Sequence, residues 1–85
     1  MKKITMYTTK VCPYCVRAKA LLQRKGYDYE EINAEDDKAR EEMLKKSGGM
    51  RTVPQIFIGD THVGGSDELH ALERAGKLDE MMKLI

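Results

Sequence analysis

The chain has 85 residues, of which 41% are hydrophobic and 34% are charged, and its formal net charge is +1. This composition excludes a disordered chain and describes a soluble protein with one modest core. The near balance of charges gives no electrostatic reason to expect nucleic acid, and no apolar run approaches the roughly 20 residues of a membrane span. We therefore expect residues 1–85 to form a single domain that binds neither nucleic acid nor membranes.

The beginning of the chain, Met1–Lys3, is basic, but residues 4–9 are too few and too polar for the apolar region of a signal peptide. A reducing cytoplasm is therefore the expected location. In that compartment, two cysteines separated by two residues are more often catalytic or metal-binding than a structural disulfide. Cys12 and Cys15 are the two cysteines of this chain, and they have that spacing.

The cysteine pair lies between a predicted strand and a predicted helix. Ile4–Thr8 alternates in the manner of a strand. Pro13 suits the first turn of a helix, where the N–H that it lacks would have had no intrahelical partner. The helix is predicted to run to about Lys25 and to stop at Gly26.

The middle of the chain predicts a strand, a helix and a hairpin. Tyr27–Asn33 alternates imperfectly and predicts the strand. Acidic residues at 35–37 and basic residues at 45–46 stand in the order that a helix dipole favours, and they predict the helix. Gln55–Ile58 and Thr61–Val63 predict two strands joined by a two-residue turn.

Two helices complete the predicted order β-α-β-α-β-β-α-α. Gly64-Gly65 breaks the last strand, Ser66 and Asp67 can cap a helix to about Ala75, and a short helix is predicted over Leu78–Leu84. The first βαβ unit requires a parallel pair of strands with a right-handed crossover, and the hairpin adds an antiparallel pair. The expected fold is α/β and thioredoxin-like, a four-stranded mixed sheet with helices on both faces.

The two cysteines are predicted to have different surroundings. Cys12 falls at or just before the helix start, where unpaired N–H groups and the helix dipole favour a thiolate and lower the pKa of the sulfur. Lys10 and Arg17 add positive potential nearby. Cys15 lies with Leu22 on the apolar face of the helix. We predict an exposed, attacking Cys12 and a shielded Cys15 that resolves a mixed disulfide.

Two other interpretations of the pair stay open at the level of the residues. Both cysteines can be small packing residues, which suits Cys15 but leaves Cys12 unexplained. A zinc site usually takes four ligands, and the chain adds two histidines, His62 on a predicted strand and His70 on a predicted helix. The place of the pair between a strand and a helix favours redox chemistry, and we expect no metal.

Three motifs stand together in this chain: Cys12-Pro13-Tyr14-Cys15, Thr52-Val53-Pro54 before a strand, and Gly64-Gly65-Ser66-Asp67 at the start of a helix. They resemble those of the glutaredoxins, in particular the small bacterial dithiol class. All three occur in the family's order and spacing, and the resemblance covers nearly the whole chain. Thioredoxins would carry Trp-Cys-Gly-Pro-Cys, and this chain has no tryptophan. Cluster-carrying monothiol glutaredoxins would carry Cys-Gly-Phe-Ser.

The resemblance implies a glutathione site beside the catalytic cysteines. A cis Pro54 would leave the backbone of Val53 free to pair with the cysteine moiety of glutathione, and Asp67 would face the γ-glutamyl ammonium. Lys10 would meet the glycine carboxylate, and Tyr14 would border the groove. The glutathione-binding residues implied are Lys10, Tyr14, Thr52, Val53, Pro54, Gly65, Ser66 and Asp67.

The chain departs from the family pattern at two neighbouring positions. Several relatives carry a third cysteine where this chain has Ser66, and many have a second aspartate where this chain has Glu68. Neither change touches the two catalytic thiols. For Ser66 and Asp67, helix capping is an alternative role.

The function implied is glutathione-dependent thiol–disulfide exchange, with glutathione as co-substrate. The expected partners are proteins with a disulfide or a glutathione mixed disulfide, with ribonucleotide reductase as a candidate at the level of the family, and we expect a monomer. Two other activities stay open. One is a protein disulfide reductase driven by thioredoxin reductase, and the other is an iron–sulfur carrier that uses Cys12 and glutathione.

Overall fold

The structure is a computed structural model that describes residues 3–83. Its elements are β1 (Ile4–Thr8), α1 (Pro13–Lys25), β2 (Glu30–Asn33), α2 (Asp37–Lys46), β3 (Gln55–Ile58), β4 (Thr61–Gly64), α3 (Ser66–Arg74) and α4 (Lys77–Lys83). The strands form a mixed sheet in the order β2-β1-β3-β4, in which β1 is parallel to β2 and antiparallel to β3. The predicted four-stranded thioredoxin-like sheet is confirmed. Across residues 3–83, no helix is both long and apolar enough to cross a bilayer.

Alternating side chains of β1 and β3 divide the core between the two faces of the sheet. One cluster packs these strands against α1, α3 and α4, and its buried members are Ile4, Met6, Ala18, Leu21, Leu22, Ile56, Ile58, Leu69, Leu78 and Met82. The other lies against α2 and contains Tyr7, Ala34, Met43 and Phe57. The rings of Tyr7 and Phe57 meet edge to face with centroids 5.8 Å apart. Helices therefore cover both faces, as the sequence predicted.

The second strand begins three residues later than predicted. The backbone N–H of Tyr27 donates to the carbonyl of Leu22 at 2.9 Å, and Gly26 takes a left-handed conformation at φ 76°. The backbone of Tyr27 therefore closes α1 in the manner of a helix cap and does not extend a strand. The side chains of Tyr27 and Tyr29 pack against the first core cluster, and β2 starts at Glu30.

The start of α3 also differs from the prediction. The cap is Gly65, with extended backbone, and the carboxylate of Glu68 accepts a 2.6 Å hydrogen bond from its N–H. Ser66 and Asp67 are the first two residues of the helix, so the prediction that they cap it is wrong. Gly64 ends β4 at φ 114°, a left-handed conformation that suits glycine. The final helix begins at Lys77, and its predicted end at Leu84 lies outside the described residues.

A polar cluster fastens α4 to the rest of the structure. The ammonium of Lys25 lies 3.1 Å from the carboxylate of Glu73 and 3.0 Å from that of Asp79. The hydroxyl of Tyr27 donates a hydrogen bond to Asp79 as well. These bonds, first that from Tyr27 and then that from Lys25, lower the pKa of Asp79 in the folded protein.

We expect Asp79→Asn to lower Tm at neutral pH and to matter less in acid. A lowered pKa means that the carboxylate contributes stability above its ordinary pKa of about 4 and that this contribution is lost as pH falls through the folded value. Calorimetric melting of wild type and variant at pH 7 and pH 3 measures the change. Glu80→Gln, an exposed substitution in the same helix, is the control. A difference in Tm that is as large at pH 3 as at pH 7 would contradict this account.

Candidate active site

The N-terminus of α1 is built around the sulfur of Cys12. Cys12 caps the helix with extended backbone at φ −150° and ψ 97°, and Pro13 takes the first helical position. The backbone N–H of Cys15 points at Cys12 Sγ with a nitrogen–sulfur distance of 3.1 Å. A sulfur thus occupies the place where a serine or aspartate oxygen commonly caps a helix. Because such N–H groups carry partial positive charge, this geometry favours a thiolate over a thiol in the reduced protein.

The two sulfurs are adjacent and differ in exposure. Cys12 and Cys15 are joined by a disulfide, with their Cα atoms 5.2 Å apart. Cys12 is 8% exposed and Cys15 is 1% exposed. Cys12 is therefore more exposed than Cys15, as predicted, but the prediction of an exposed Cys12 is wrong for the disulfide form. Cys12 Sγ is covered by its bonded partner and by the loop of Val53, whose carbonyl oxygen lies 3.6 Å away.

A groove of about 150 Å³ brings together most of the predicted glutathione-binding residues. It is lined by Tyr14, Thr52, Val53, Pro54, Gly65, Ser66, Asp67 and Glu68. The peptide bond between Val53 and Pro54 is cis, as the resemblance implied. Three separate segments of the chain, from α1, the loop before β3 and the start of α3, therefore line the same groove.

Lys10 is the predicted site residue that the groove does not include. It is exposed and lines a different depression, together with Lys19 and Glu31. In that depression the carboxylate of Glu31 lies 2.5 Å from the ammonium of Lys19 and accepts a 2.6 Å hydrogen bond from the hydroxyl of Thr8. These two contacts, that of Lys19 first, lower the pKa of Glu31. These contacts connect the buried end of β1 with β2 and α1, just before the cysteine loop.

Two residues near the groove were not identified from the sequence. Glu68 lines it and caps α3. Gln55 lies immediately after Pro54, is 1% exposed, and donates to the carbonyl of Thr52 at 2.9 Å. The sequence signal for Gln55 is a polar residue at the head of an otherwise apolar strand.

The histidines have partners other than the cysteines. His62 contacts Gln55, and Nδ1 of His70 lies 2.7 Å from the carbonyl oxygen of Ser66. Between residues 3 and 83, the side chains of His, Cys, Asp and Glu form no group of three or more that could hold a metal ion.

Comparison with known proteins decides the family. The glutaredoxin family model matches residues 4–63. The chain belongs to the glutaredoxin family. It is therefore a thiol–disulfide oxidoreductase, and it carries the Cys12–Cys15 dithiol.

Bacterial relatives match over nearly the full length. The chain is 56% identical over 82 residues to a glutaredoxin of Pseudomonas aeruginosa, which covers 96% of this chain and 98% of that one. It is 50% identical over 84 residues to glutaredoxin 3 of Escherichia coli K12, covering 98% and 100% of the two chains.

Solved glutaredoxin structures share the fold. The solution structure of glutaredoxin from Brucella melitensis matches with a TM-score of 0.84 at 53% identity, covering 100% of this chain and 96% of that one. A buckwheat glutaredoxin–glutathione complex matches with a TM-score of 0.85 at 33% identity, covering 95% and 76%.

We expect the reduced Cys12 thiol to have a pKa clearly below its unperturbed value of about 8.5, because the helix N–H groups stabilise the thiolate. The rate of alkylation by iodoacetamide against pH measures this value. The Cys15→Ser variant, which retains one thiol, assigns the titration to Cys12. A midpoint at or above the unperturbed value would contradict the electrostatic role of the helix terminus.

Proposed function

We propose that this protein catalyses glutathione-dependent thiol–disulfide exchange. It reduces mixed disulfides of glutathione and disulfides of proteins, with different roles for Cys12 and Cys15. The observation that carries the proposal is the groove in which Tyr14, the Thr52–Pro54 loop and the start of α3 meet beside the capped sulfur.

The first reaction needs only Cys12. Its thiolate attacks the glutathione sulfur of a mixed disulfide, the bond to the substrate sulfur breaks, and the substrate leaves as a thiolate that takes a proton from water. A glutathione thiolate then attacks the sulfur of the bound glutathione, releasing oxidised glutathione and restoring the Cys12 thiolate. The N–H of Cys15, 3.1 Å from Cys12 Sγ, supports this role because it stabilises Cys12 both as nucleophile and as leaving group.

Reduction of a protein disulfide uses both thiols. Cys12 attacks the substrate and forms a mixed disulfide with it, and Cys15 then attacks the sulfur of Cys12, which releases the reduced substrate. Two molecules of glutathione reduce the resulting Cys12–Cys15 disulfide. The burial of Cys15 supports this assignment. Its side chain, which is 1% exposed, is shielded from large disulfide substrates but lies next to Cys12.

The groove suits the chemical groups of glutathione. The first N–H groups of α3, those of Ser66 and Asp67, have no partner inside the helix and suit the γ-glutamyl carboxylate. The exposed carboxylate of Asp67 suits the neighbouring ammonium, and the backbone of Val53 suits the cysteine moiety. A buckwheat relative forms a complex with glutathione, which supports the same ligand here. We assign Lys10, which lines the neighbouring depression, to the glycine carboxylate.

Exposed apolar side chains support a protein substrate. Val11 is 91% exposed, Tyr14 is 54% exposed and Val16 is 63% exposed, and all lie within four residues of Cys12. We assign the protein to the cytoplasm as a monomer that acts on glutathionylated and disulfide-containing proteins, with ribonucleotide reductase among the candidates.

A coupled assay with glutathione, glutathione reductase, NADPH and a small glutathione mixed disulfide tests the proposed function. Turnover with thioredoxin reductase and NADPH in the absence of glutathione would instead favour the general disulfide reductase. Visible absorbance after anaerobic purification would indicate an iron–sulfur carrier.

We expect serine substitutions to separate the two reactions. Cys12→Ser should abolish turnover on every substrate, because the attacking sulfur is lost. Cys15→Ser should still reduce the small glutathione mixed disulfide but should fail on a protein disulfide. The same coupled assay measures both reactions. Retained activity in Cys12→Ser together with full loss in Cys15→Ser would reverse the roles.

We expect Asp67→Ala to raise the glutathione concentration for half-maximal rate by about tenfold, since a hydrogen bond to a charged group is lost. Its Tm should change little, because Gly65 and Glu68 provide the cap of α3. Asp67→Asn, which removes the charge but keeps an acceptor oxygen, should raise this concentration by less. Lower Tm with unaltered glutathione kinetics would mean that Asp67 serves only the helix.

A further inference from the structure

Gln55 is a buried polar side chain whose amide is hydrogen-bonded on both sides. Its Nε2 donates to the carbonyl oxygen of Thr52 at 2.9 Å and to the hydroxyl oxygen of Thr52 at 3.1 Å. Its Oε1 lies 2.6 Å from Nε2 of His62 on β4. With its amide engaged at both ends, Gln55 is held in a single orientation.

The chemistry of these partners fixes the direction of each hydrogen bond. The carbonyl of Thr52 can only accept, so the nitrogen of Gln55 faces it and the oxygen of Gln55 faces His62. Nε2 of His62 therefore carries a hydrogen and donates it, in the neutral ring as well as in the charged one. Nε2 of Gln55 lies within hydrogen-bond distance of both oxygens of Thr52, whose hydroxyl accepts and keeps its own hydrogen to donate elsewhere.

We propose that Gln55 and His62 are positioning residues for disulfide exchange, acting through Thr52 and Val53. This inference rests on the proposed function of the groove. Thr52 and Val53 line that groove, and the carbonyl oxygen of Val53 lies 3.6 Å from Cys12 Sγ. The two amide hydrogen bonds hold Thr52 to the head of β3, and His62 holds the amide in turn. The pair thus orients the backbone of Val53 and the hydroxyl of Thr52 towards a bound mixed disulfide.

His62 also has a packing contact, which gives a second explanation that can be tested against the first. Its ring lies on that of Phe57, with centroids 4.9 Å apart and an angle of 30° between the planes. A packing role needs an aromatic ring at this position, whereas a positioning role needs a hydrogen-bond donor at the place of Nε2. Phenylalanine keeps the ring without the donor, and glutamine keeps a donor without the ring.

The experiment compares His62→Phe, His62→Gln and Gln55→Met in the coupled assay, with separate determination of KM and kcat for the small glutathione mixed disulfide. We expect His62→Phe and Gln55→Met to raise KM about three- to tenfold, the effect of one or two lost hydrogen bonds, with kcat changed less than twofold. His62→Gln should stay within about twofold of wild type. Since His62 is exposed, both of its variants should fold, and their Tm values check this.

Tyr27→Phe is the matched control, because it also removes a tertiary hydrogen bond but lines no part of the groove. Its KM should equal that of wild type. A wild-type KM in His62→Phe with a raised KM in His62→Gln would make His62 a packing residue and overturn the inference. Unchanged KM in Gln55→Met would overturn it too, while leaving the proposed function intact. A wild-type protein that does not turn over with glutathione would overturn both.

Discussion

The hydrogen bond from the backbone N–H of Cys15 to Cys12 Sγ is the interaction on which the chemistry of this protein depends. It makes the reactive sulfur the cap of α1, so the partial positive charge of the helix N-terminus acts directly on the atom that must become an anion. Pro13 fits this arrangement, because it starts the helix without presenting an N–H that would need another partner. One short motif therefore supplies the nucleophile, its electrostatic activation and its resolving partner.

The topology of the sheet explains why the remaining parts of the site lie beside this helix terminus. β1 and β3 are antiparallel, with Tyr7 opposite Gln55, so the end of β1 meets the start of β3. The cysteine loop that follows β1 and the Thr52–Pro54 loop that precedes β3 therefore lie at the same end of the sheet. β4 is antiparallel to β3, with Gly64 opposite Ile56, so it ends at that same end of the sheet, and α3 begins there. The pairing and the direction of the strands therefore bring these three segments together.

The sequence sufficed for features that depend on local chemistry. The position of Cys12 at the start of α1, Pro13 in its first turn and Gly26 at its end were all predicted from neighbouring residues. The parallel pair of β1 and β2 and the antiparallel pair of β3 and β4 followed from their connections. The predictions failed where a backbone group took the place of an expected capping side chain. Ser66 and Asp67 are good capping residues, yet the conformation of Gly65 and the reach of Glu68 place the cap one residue earlier. The separation of Lys10 from the groove depends on tertiary packing, which local patterns do not encode.

Cys12 is subject to two opposing contacts, and their balance connects its acidity with the shape of the groove. The N–H of Cys15 at 3.1 Å favours the thiolate, whereas the carbonyl oxygen of Val53 at 3.6 Å favours the protonated thiol, which can donate to it. The shorter contact is reinforced by the helix dipole, so the thiolate is favoured overall. The longer contact belongs to the loop that Gln55 holds. A movement of that loop would therefore change substrate binding and the reactivity of the sulfur together, which gives a physical reason for fixing the loop with a fully hydrogen-bonded, buried amide.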